Sequence, residues 1–518
     1  MKVNIVWFRR DLRLLDNEIV AKACDNGQPT MFVFCIDPWF FNQKEIGWKR
    51  VHFLFESLVD LDQSLRKLGS SLIILEGNTV ESLQSLGTYL KSQNIEPNLF
   101  YNLDIQTEYG LERDRNIRKF WQNNGWSIYE GKPSFLVRIE EKSDFTNWGK
   151  EYYNYQNTNT WDKPNQINTF DTSTLSKALK TTKPSKLLER FNTTSQPKSE
   201  LFNGGESEAH KVLESFLEVR SVGYHWKLSR PWLSQIGAVS QLSPHITFGT
   251  ISTRVVHQQS SKKRKLTDSK HAFSLKAFEE RLRWREHFLG KLLKDPSIKW
   301  KNHYPEYDSV YNQSELTEDK LKYLEKWKAG HTGFALIDAS MRQLKSQGVI
   351  NFRMRAMNAT FLTINCGVSW HFGAEYFMTQ LVDGDIAINH WQWQMQAGIT
   401  NPFSDTFRIY NPSINIKEKD PELQYIHFWC PEYRQFHTPA EVVAASEPML
   451  DFSTTRKENG KVISDLRQKV RTRLAVEYGI KLPTKKAKKP TVKSSKLKKT
   501  SKKLTYNLSE DLFGEGNS

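Results

Sequence analysis

The chain has 518 residues, of which 38% are apolar and 25% charged, and its formal net charge is +16. At roughly 100–200 residues per domain this length predicts two to four domains. The four cysteines (Cys24, Cys35, Cys366 and Cys430) form no CxxC pair, which argues against a zinc or dithiol motif and for a reducing compartment.

The chain opens MKVNIVWFRRDLR. Arg9 and Arg10 follow the apolar stretch rather than precede it, so no secretory signal is expected. Nor is there a run of 18 apolar residues, so no membrane span is expected. Short, nearly continuous apolar runs at 3–8, 31–36, 71–75, 98–103 and 126–129 read as strands of a parallel sheet buried on both faces. Between the second and third, Val51, Leu54, Phe55, Leu58, Leu61, Leu65 and Leu68 recur at helical spacing. Alternating strand and helix predicts a doubly wound α/β domain over 1–135. It carries neither GxGxxG nor a Walker loop. Residues 136–203, rich in Asn, Thr, Ser, Lys and Pro, read as a long connector. From 204 to 480 the periodicity is helical and strand signals nearly vanish, which predicts a larger all-α domain. A Lys-rich tail closes the chain at 481–518. Its stretch 484–503 holds ten Lys and no acid, composition that suits a polyphosphate partner or a solvated, disordered tail.

Three segments carry chemistry. In 223–254, Ser240 and Ser243 bracket a polar turn before Pro244, a place where hydroxyl and backbone N–H groups can meet a diphosphate, with Arg230 and Arg254 as sources of charge. In 280–288, Arg281, Trp284, Arg285 and Phe288 fall near one helix face, and interior Arg among aromatics needs an anionic partner. In 348–394, Arg353 and Arg355 precede an apolar helix, Asp383 and Asp385 follow it, and Asn389 comes next. Arg355 and Asp383 could form a buried pair, and Trp370, Trp391 and Trp393 could relay electrons.

Taken in order, these blocks resemble the photolyase/cryptochrome family. The resemblance runs through WFRRDLRLLDN (7–17), FNGGESEAHKVLESFL (202–217), the 241–254 segment, WREHF (284–288), TGFALIDASMRQL (332–344), DGDIAIN (383–389), FRIYNP (407–412) and YIHFWCPEYR (425–434). It implies FAD in the helical domain. Tyr224, Ser240, Leu242 and Ser243 match phosphate-holding positions, and Arg285, Arg355, Asp383, Asp385 and Asn389 match flavin contacts. Asn389 matches the residue facing the flavin N5, where a neutral amide is the photolyase-like choice. Trp284, Arg281, Phe352 and Arg353 fall on the substrate face. The resemblance implies light-driven electron transfer that splits cyclobutane pyrimidine dimers flipped out of DNA, by a monomer. That monomer is expected in the cytoplasm with the nucleoid, or in the nucleus if the cell has one. It also implies a possible antenna chromophore (folate, deazaflavin or flavin) in the α/β domain. The alternative is a cryptochrome-like blue-light receptor without repair activity.

The sequence departs from the family at named positions. Val239 stands for the usual Thr, Arg281 for the dimer-binding Glu, Phe352 for an Asn, and Val349 for a Trp. Trp370 matches the middle relay Trp, either Trp391 or Trp393 the proximal one. No Trp lies between Trp300 and Trp327, which leaves Tyr304 or Tyr311 for the last position. With no His at 351–356, the (6-4) lesion is the less expected substrate.

Overall fold

The apolar runs of the first 135 residues form five parallel strands: β1 (Lys2–Phe8), β2 (Thr30–Ile36), β3 (Leu72–Glu76), β4 (Glu96–Asn102) and β5 (Ile128–Gly131). They stand in the order β5-β4-β1-β2-β3. Side chains alternate across a strand, and both faces are covered. Val3, Ile5 and Trp7 pack with Leu83, Leu86 and Leu90 of the Thr79–Ser92 helix. Val6 and Phe8 pack with Leu54, Leu58 and Leu61 of the Trp48–Arg66 helix. Each fully buried large side chain of this kind contributes about 1.5–3 kcal/mol. The computed structural model of the protein describes residues 1–105, 107–138, 148–194, 202–312, 316–404 and 407–480, so the basic tail expected at 481–518 lies outside the described residues.

The connector expected over 136–203 carries more structure than its composition implies. A sixth strand, β6 (Thr181–Thr182), pairs antiparallel with β3 at the sheet edge. Helices Trp148–Gln156 and Pro184–Thr194 flank it. Tyr152 and Tyr155 share one apolar cluster with Phe135 of the α/β domain and Phe288 of the helical domain. Partners this remote in sequence leave no local periodicity to read.

Among the described residues no strand follows Thr182. The helices Ala335–Gln347, Phe352–Thr360, Trp370–Gln380 and Phe452–Glu477 bury one large core. The WFRRDLRLLDN segment leaves the end of β1 and clasps the two domains together. Glu206 accepts from the N–H groups of Leu14 (2.8 Å) and Leu15 (2.9 Å). Arg13 Nη1 donates to the Gly249 carbonyl at 3.0 Å, and the Leu12 N–H to Phe248 at 3.4 Å. Gly249 has φ +68°, and a Cβ there would lie 2.0 Å from the Arg10 carbonyl oxygen. Only glycine permits both that backbone angle and that approach.

Candidate functional site

The helical domain encloses a cavity of about 780 Å³, within the roughly 300–1,000 Å³ range of cofactor clefts. Helical spacing builds its walls. On Ser269–Lys294, Phe278, Arg281, Trp284, Arg285 and Phe288 recur every third or fourth residue and all line it. Phe352, Arg355, Ala356 and Ala359 do the same on Phe352–Thr360, and Asn389, Gln392, Trp393 and Gln396 on Ile386–Gln396. Glu280, one residue from Arg281, is absent from the lining, as a 100° rotation per residue requires.

One end is polar and paired. Arg355 Nη2 donates to both oxygens of Asp383 at 2.9 Å. The Asp383 side chain is 6% exposed, so the partner is needed to offset desolvation of its charge. Asp385 caps the Ile386–Gln396 helix, accepting from the Ala387 N–H at 3.0 Å, and its other oxygen receives Arg10 at 3.4 Å. Burial opposes the charge on Arg10, but Asp104 and then Asp385 hold its pKa above the usual value. Asn389 donates Nδ2 to the Ala374 carbonyl at 3.0 Å, which leaves Oδ1 as the polar atom available to the cavity.

The same wall also holds Tyr224, Ser240, Gln241 and Ser243. Gln241 sits in the left-handed region at φ 59°, and the Ser243–Phe248 helix follows it. Leu242 does not line the cavity; it is fully buried in the core behind the wall, with its backbone N–H 3.5 Å from Ser240 Oγ. The charges expected from Arg230 and Arg254 are not in the wall either. Arg254 forms a buried pair with Asp16 across the domain boundary, and Arg230 lies over the exposed Trp226 ring at 5.4 Å. The Arg that shapes this part of the wall is Arg220. It binds the carbonyls of Gly237 (3.0 Å), Val239 and Ser240 (3.3 Å), and so holds the loop before the helix. Arg220 ends a π-helical turn, Phe216–Arg220, and a lone Arg there carries no sequence signal for that role. His245, also in the wall, has its pKa pulled down to about 4 by burial and is neutral near pH 7.

The structure separates the three tryptophans expected to relay electrons. Trp393 lines the cavity, whereas Trp391 and Trp370 do not. Trp391 packs against His303 at 4.9 Å, with Lys291 over its ring. Trp370 stacks on His371 at 3.8 Å and meets His390 at 5.9 Å; its ring contacts among the described residues are these two. Trp393 meets instead Phe377 at 5.0 Å and Trp327 at 6.0 Å. Of the substrate-face residues, Arg281, Trp284 and Phe352 are in the wall, and Arg353 stands next to it, bonded to the Tyr410 hydroxyl at 2.8 Å. Tyr311, fully buried, donates to the Ala397 carbonyl, and Tyr304 lies beside Arg473.

This donor set suits FAD. Ser240 and Ser243 offer hydroxyls for a diphosphate, Arg355 and Asn389 a polar edge for a ring, and Ala356, Ala359, Phe377 and Leu381 an apolar bed for its face. A second cavity, of about 250 Å³, opens at the C-terminal end of β1 and β2. Trp39 and Tyr109 stack at its edge with centroids 3.7 Å apart. Thr247, Gly384 and Asp385 belong to the walls of both cavities. Among the described residues there is no cluster of metal-ligating side chains, and no helix is long and apolar enough to cross a membrane.

Residues 4–171 match the family described as DNA photolyase, and residues 278–474 that described as FAD binding domain of DNA photolyase. The chain is 28% identical over 455 residues to the deoxyribodipyrimidine photo-lyase of Buchnera aphidicola subsp. Baizongia pistaciae, covering 85% of this chain and 90% of that one. It is 30% identical over 474 residues to cryptochrome-1 of Spalax judaei, covering 86% and 76%. Among solved structures it is similar to the archaeal photolyase from Sulfolobus tokodaii with two FAD molecules. That match has a TM-score of 0.72 at 27% identity and covers 90% of this chain and all of that one.

Proposed function

The chain belongs to the photolyase/cryptochrome family, and from that premise we propose that it repairs cyclobutane pyrimidine dimers in DNA with light, as a monomeric deoxyribodipyrimidine photolyase. One observation carries the reading. A single cavity gathers the Arg355–Asp383 pair, the anchored amide of Asn389, the aromatic wall Trp284 and Phe352, and the redox-capable Trp393.

Bound FAD supplies light absorption and a reversible electron. The residues do the rest. Arg355 and Asp383 orient a polar ring edge, with Asp383 as acceptor and Arg355 as donor. The Asn389 carbonyl accepts a hydrogen bond without donating a titratable proton, as a carboxylic acid in its place would. Trp284 and Phe352 offer flat faces to bases extruded from the duplex and exclude water from them. Ser240 and Ser243, set by Arg220, hold the phosphates. The second cavity takes a second chromophore, whose wall is in part that of the first. The Lys-rich segment at 484–503 adds phosphate contacts.

A light-receptor reading is favoured by one feature, the replacement of a carboxylate by Arg281 in the substrate-face wall. The two are separated by one assay. An oligonucleotide with one defined thymine cyclobutane dimer is mixed with reduced holoprotein, in blue light and in darkness. Light-dependent recovery of intact thymines is expected. Absence of recovery on both single- and double-stranded substrate, with photoreducible FAD bound, would sink the enzyme reading and leave the receptor.

A further inference from the structure

One carboxyl group behind the wall of the large cavity is buried without its full set of partners. Glu286, on the Ser269–Lys294 helix, is 1% exposed and lines neither cavity. Its Oε1 accepts from Arg285 Nη1 at 3.2 Å, and its Oε2 is buried with no hydrogen-bond partner. An ionised carboxylate has about four lone-pair sites to fill. Burying it with one contact costs far more than burying the neutral acid in the same place.

The neighbours favour the proton as well. Burial is the largest influence on Glu286 and raises its pKa; Arg285 opposes that, and the like charges of Asp385 and Asp104 add to it. Arg10 is already engaged by both of those carboxylates, Asp104 at 2.7 Å and Asp385 at 3.4 Å. Two short helical segments that pack on this helix bring cations of their own, each already paired: Lys299 with Glu45 at 3.6 Å and Arg138 with Glu18 at 3.0 Å. His390, on the Ile386–Gln396 helix, is kept neutral near pH 7 by burial. Tyr152, from the Trp148–Gln156 helix, brings a hydroxyl that is itself buried with no hydrogen-bond partner.

Arg285 stands one residue before Glu286 and lines the large cavity. Among the described residues, Glu286 is the one hydrogen-bond and ion-pair partner of its guanidinium. A neutral acid accepts that hydrogen bond through its carbonyl oxygen and leaves the guanidinium charge uncancelled, whereas a carboxylate cancels it.

We propose that Glu286 is a positioning residue of the cofactor site: as a neutral acid it fixes the Arg285 guanidinium in the cavity wall and leaves its positive charge to an anionic cofactor. The proposal rests on reading that cavity as the FAD site.

Two measurements on the full-length protein test it. The first is infrared difference spectroscopy of wild type against Glu286→Gln, with and without FAD, at about pH 8, where exposed carboxyls are ionised. A protonated-carboxyl C=O band is expected in the wild type and absent from the variant. The second is FAD binding, read by flavin fluorescence. Glu286→Gln, isosteric and neutral, is expected to keep the wild-type affinity. Glu286→Leu releases Arg285 and is expected to weaken binding about tenfold, the size of one hydrogen bond to a charged group. Arg285→Gln is expected to weaken binding by as much or more. Adding Glu286→Leu to it is expected to change nothing further, because Glu286 acts through that guanidinium. Circular dichroism reports that each variant is folded. Three results overturn the proposal: no carboxyl band that depends on Glu286, a shift of FAD affinity in Glu286→Gln (tighter binding meaning that a negative charge was removed), or losses that add in the double variant. A Glu286-dependent band in a protein that binds no FAD leaves the neutral acid standing and overturns the cofactor reading alone.

Discussion

The Trp393 indole, in the wall of the large cavity, meets the Trp327 indole edge to face, with centroids 6.0 Å apart and planes at 85°. Trp327 in turn lies 5.6 Å from Tyr376, a half-buried ring whose hydroxyl donates to the Lys328 carbonyl at 3.2 Å. Electron hopping falls steeply with separation, so ring contact ranks the routes out of the cavity. Trp393→Phe is expected to remove most FAD photoreduction, and Trp327→Phe to slow it more than Trp370→Phe, whose ring has no contact with Trp393. Transient absorption of the three holoproteins checks this; a larger loss in Trp370→Phe returns the relay to the family's order.

Arg355 is the hydrogen-bonded counter-ion of the buried Asp383. Its substitution by Gln strands a carboxylate that is 6% exposed. A loss of about 2–4 kcal/mol in unfolding free energy is expected, together with faster release of FAD. Denaturant unfolding and flavin fluorescence read the two effects separately. The double variant Arg355→Gln/Asp383→Asn is expected to recover much of the stability and little of the FAD retention.

His245 packs on Phe53 at 5.1 Å, with Nδ1 2.9 Å from the Thr250 hydroxyl. Burial, then His210, depresses its folded pKa to about 4, against about 6.5 in an unfolded chain. Its contribution is therefore full above about pH 6.5 and is lost as pH falls toward 4. Between pH 7 and pH 5 the wild type is expected to lose about 2 kcal/mol through this group. His245→Asn removes that part of the slope, and urea unfolding at the two pH values tests it. A variant with the wild-type pH slope would show that His245 is not the group responsible.

Gly249 is the contact point of the domain clasp. Gly249→Ala forces a side chain into the left-handed region and 2.0 Å from the Arg10 carbonyl. A destabilisation of about 2–4 kcal/mol is expected. Because Arg10 is displaced from Asp385, a change in the flavin absorption band should accompany it. Thermal unfolding and the visible spectrum of the holoprotein measure both.

Much of the architecture was legible in the chain. Each of the five predicted runs contributes to a strand, the last only from Ile128 on, because a sheet buried on both faces demands continuous apolar sequence. The Arg281–Trp284–Arg285–Phe288 strip was legible because helical periodicity is local. β6 was not. Two threonines pair with Leu75 and Ile74 about a hundred residues away, and nothing in their neighbourhood marks them. Arg254 was misplaced because its partner, Asp16, belongs to the other domain. Arg220 was missed because backbone carbonyls, its targets, leave no trace in a sequence.

The two tryptophans of WQW show where the boundary lies. From the sequence alone, Trp391 and Trp393 sit two residues apart on one helix, hence about 200° apart around its axis, so one side of the helix cannot present both. Which of them meets the cavity depends on the rotation of that helix. The rotation is set by packing: Trp393 settles between Phe377 and Trp327, and Trp391 against His303 and Lys291. The sequence by itself determined the elements, the cavity-facing strips and the kind of chemistry they hold, because those follow from local periodicity and residue type. Only the tertiary structure decided which Trp faces the cavity, which Arg holds the turn at Ser240 and where the two domains clasp, because each depends on contacts between segments far apart in the chain.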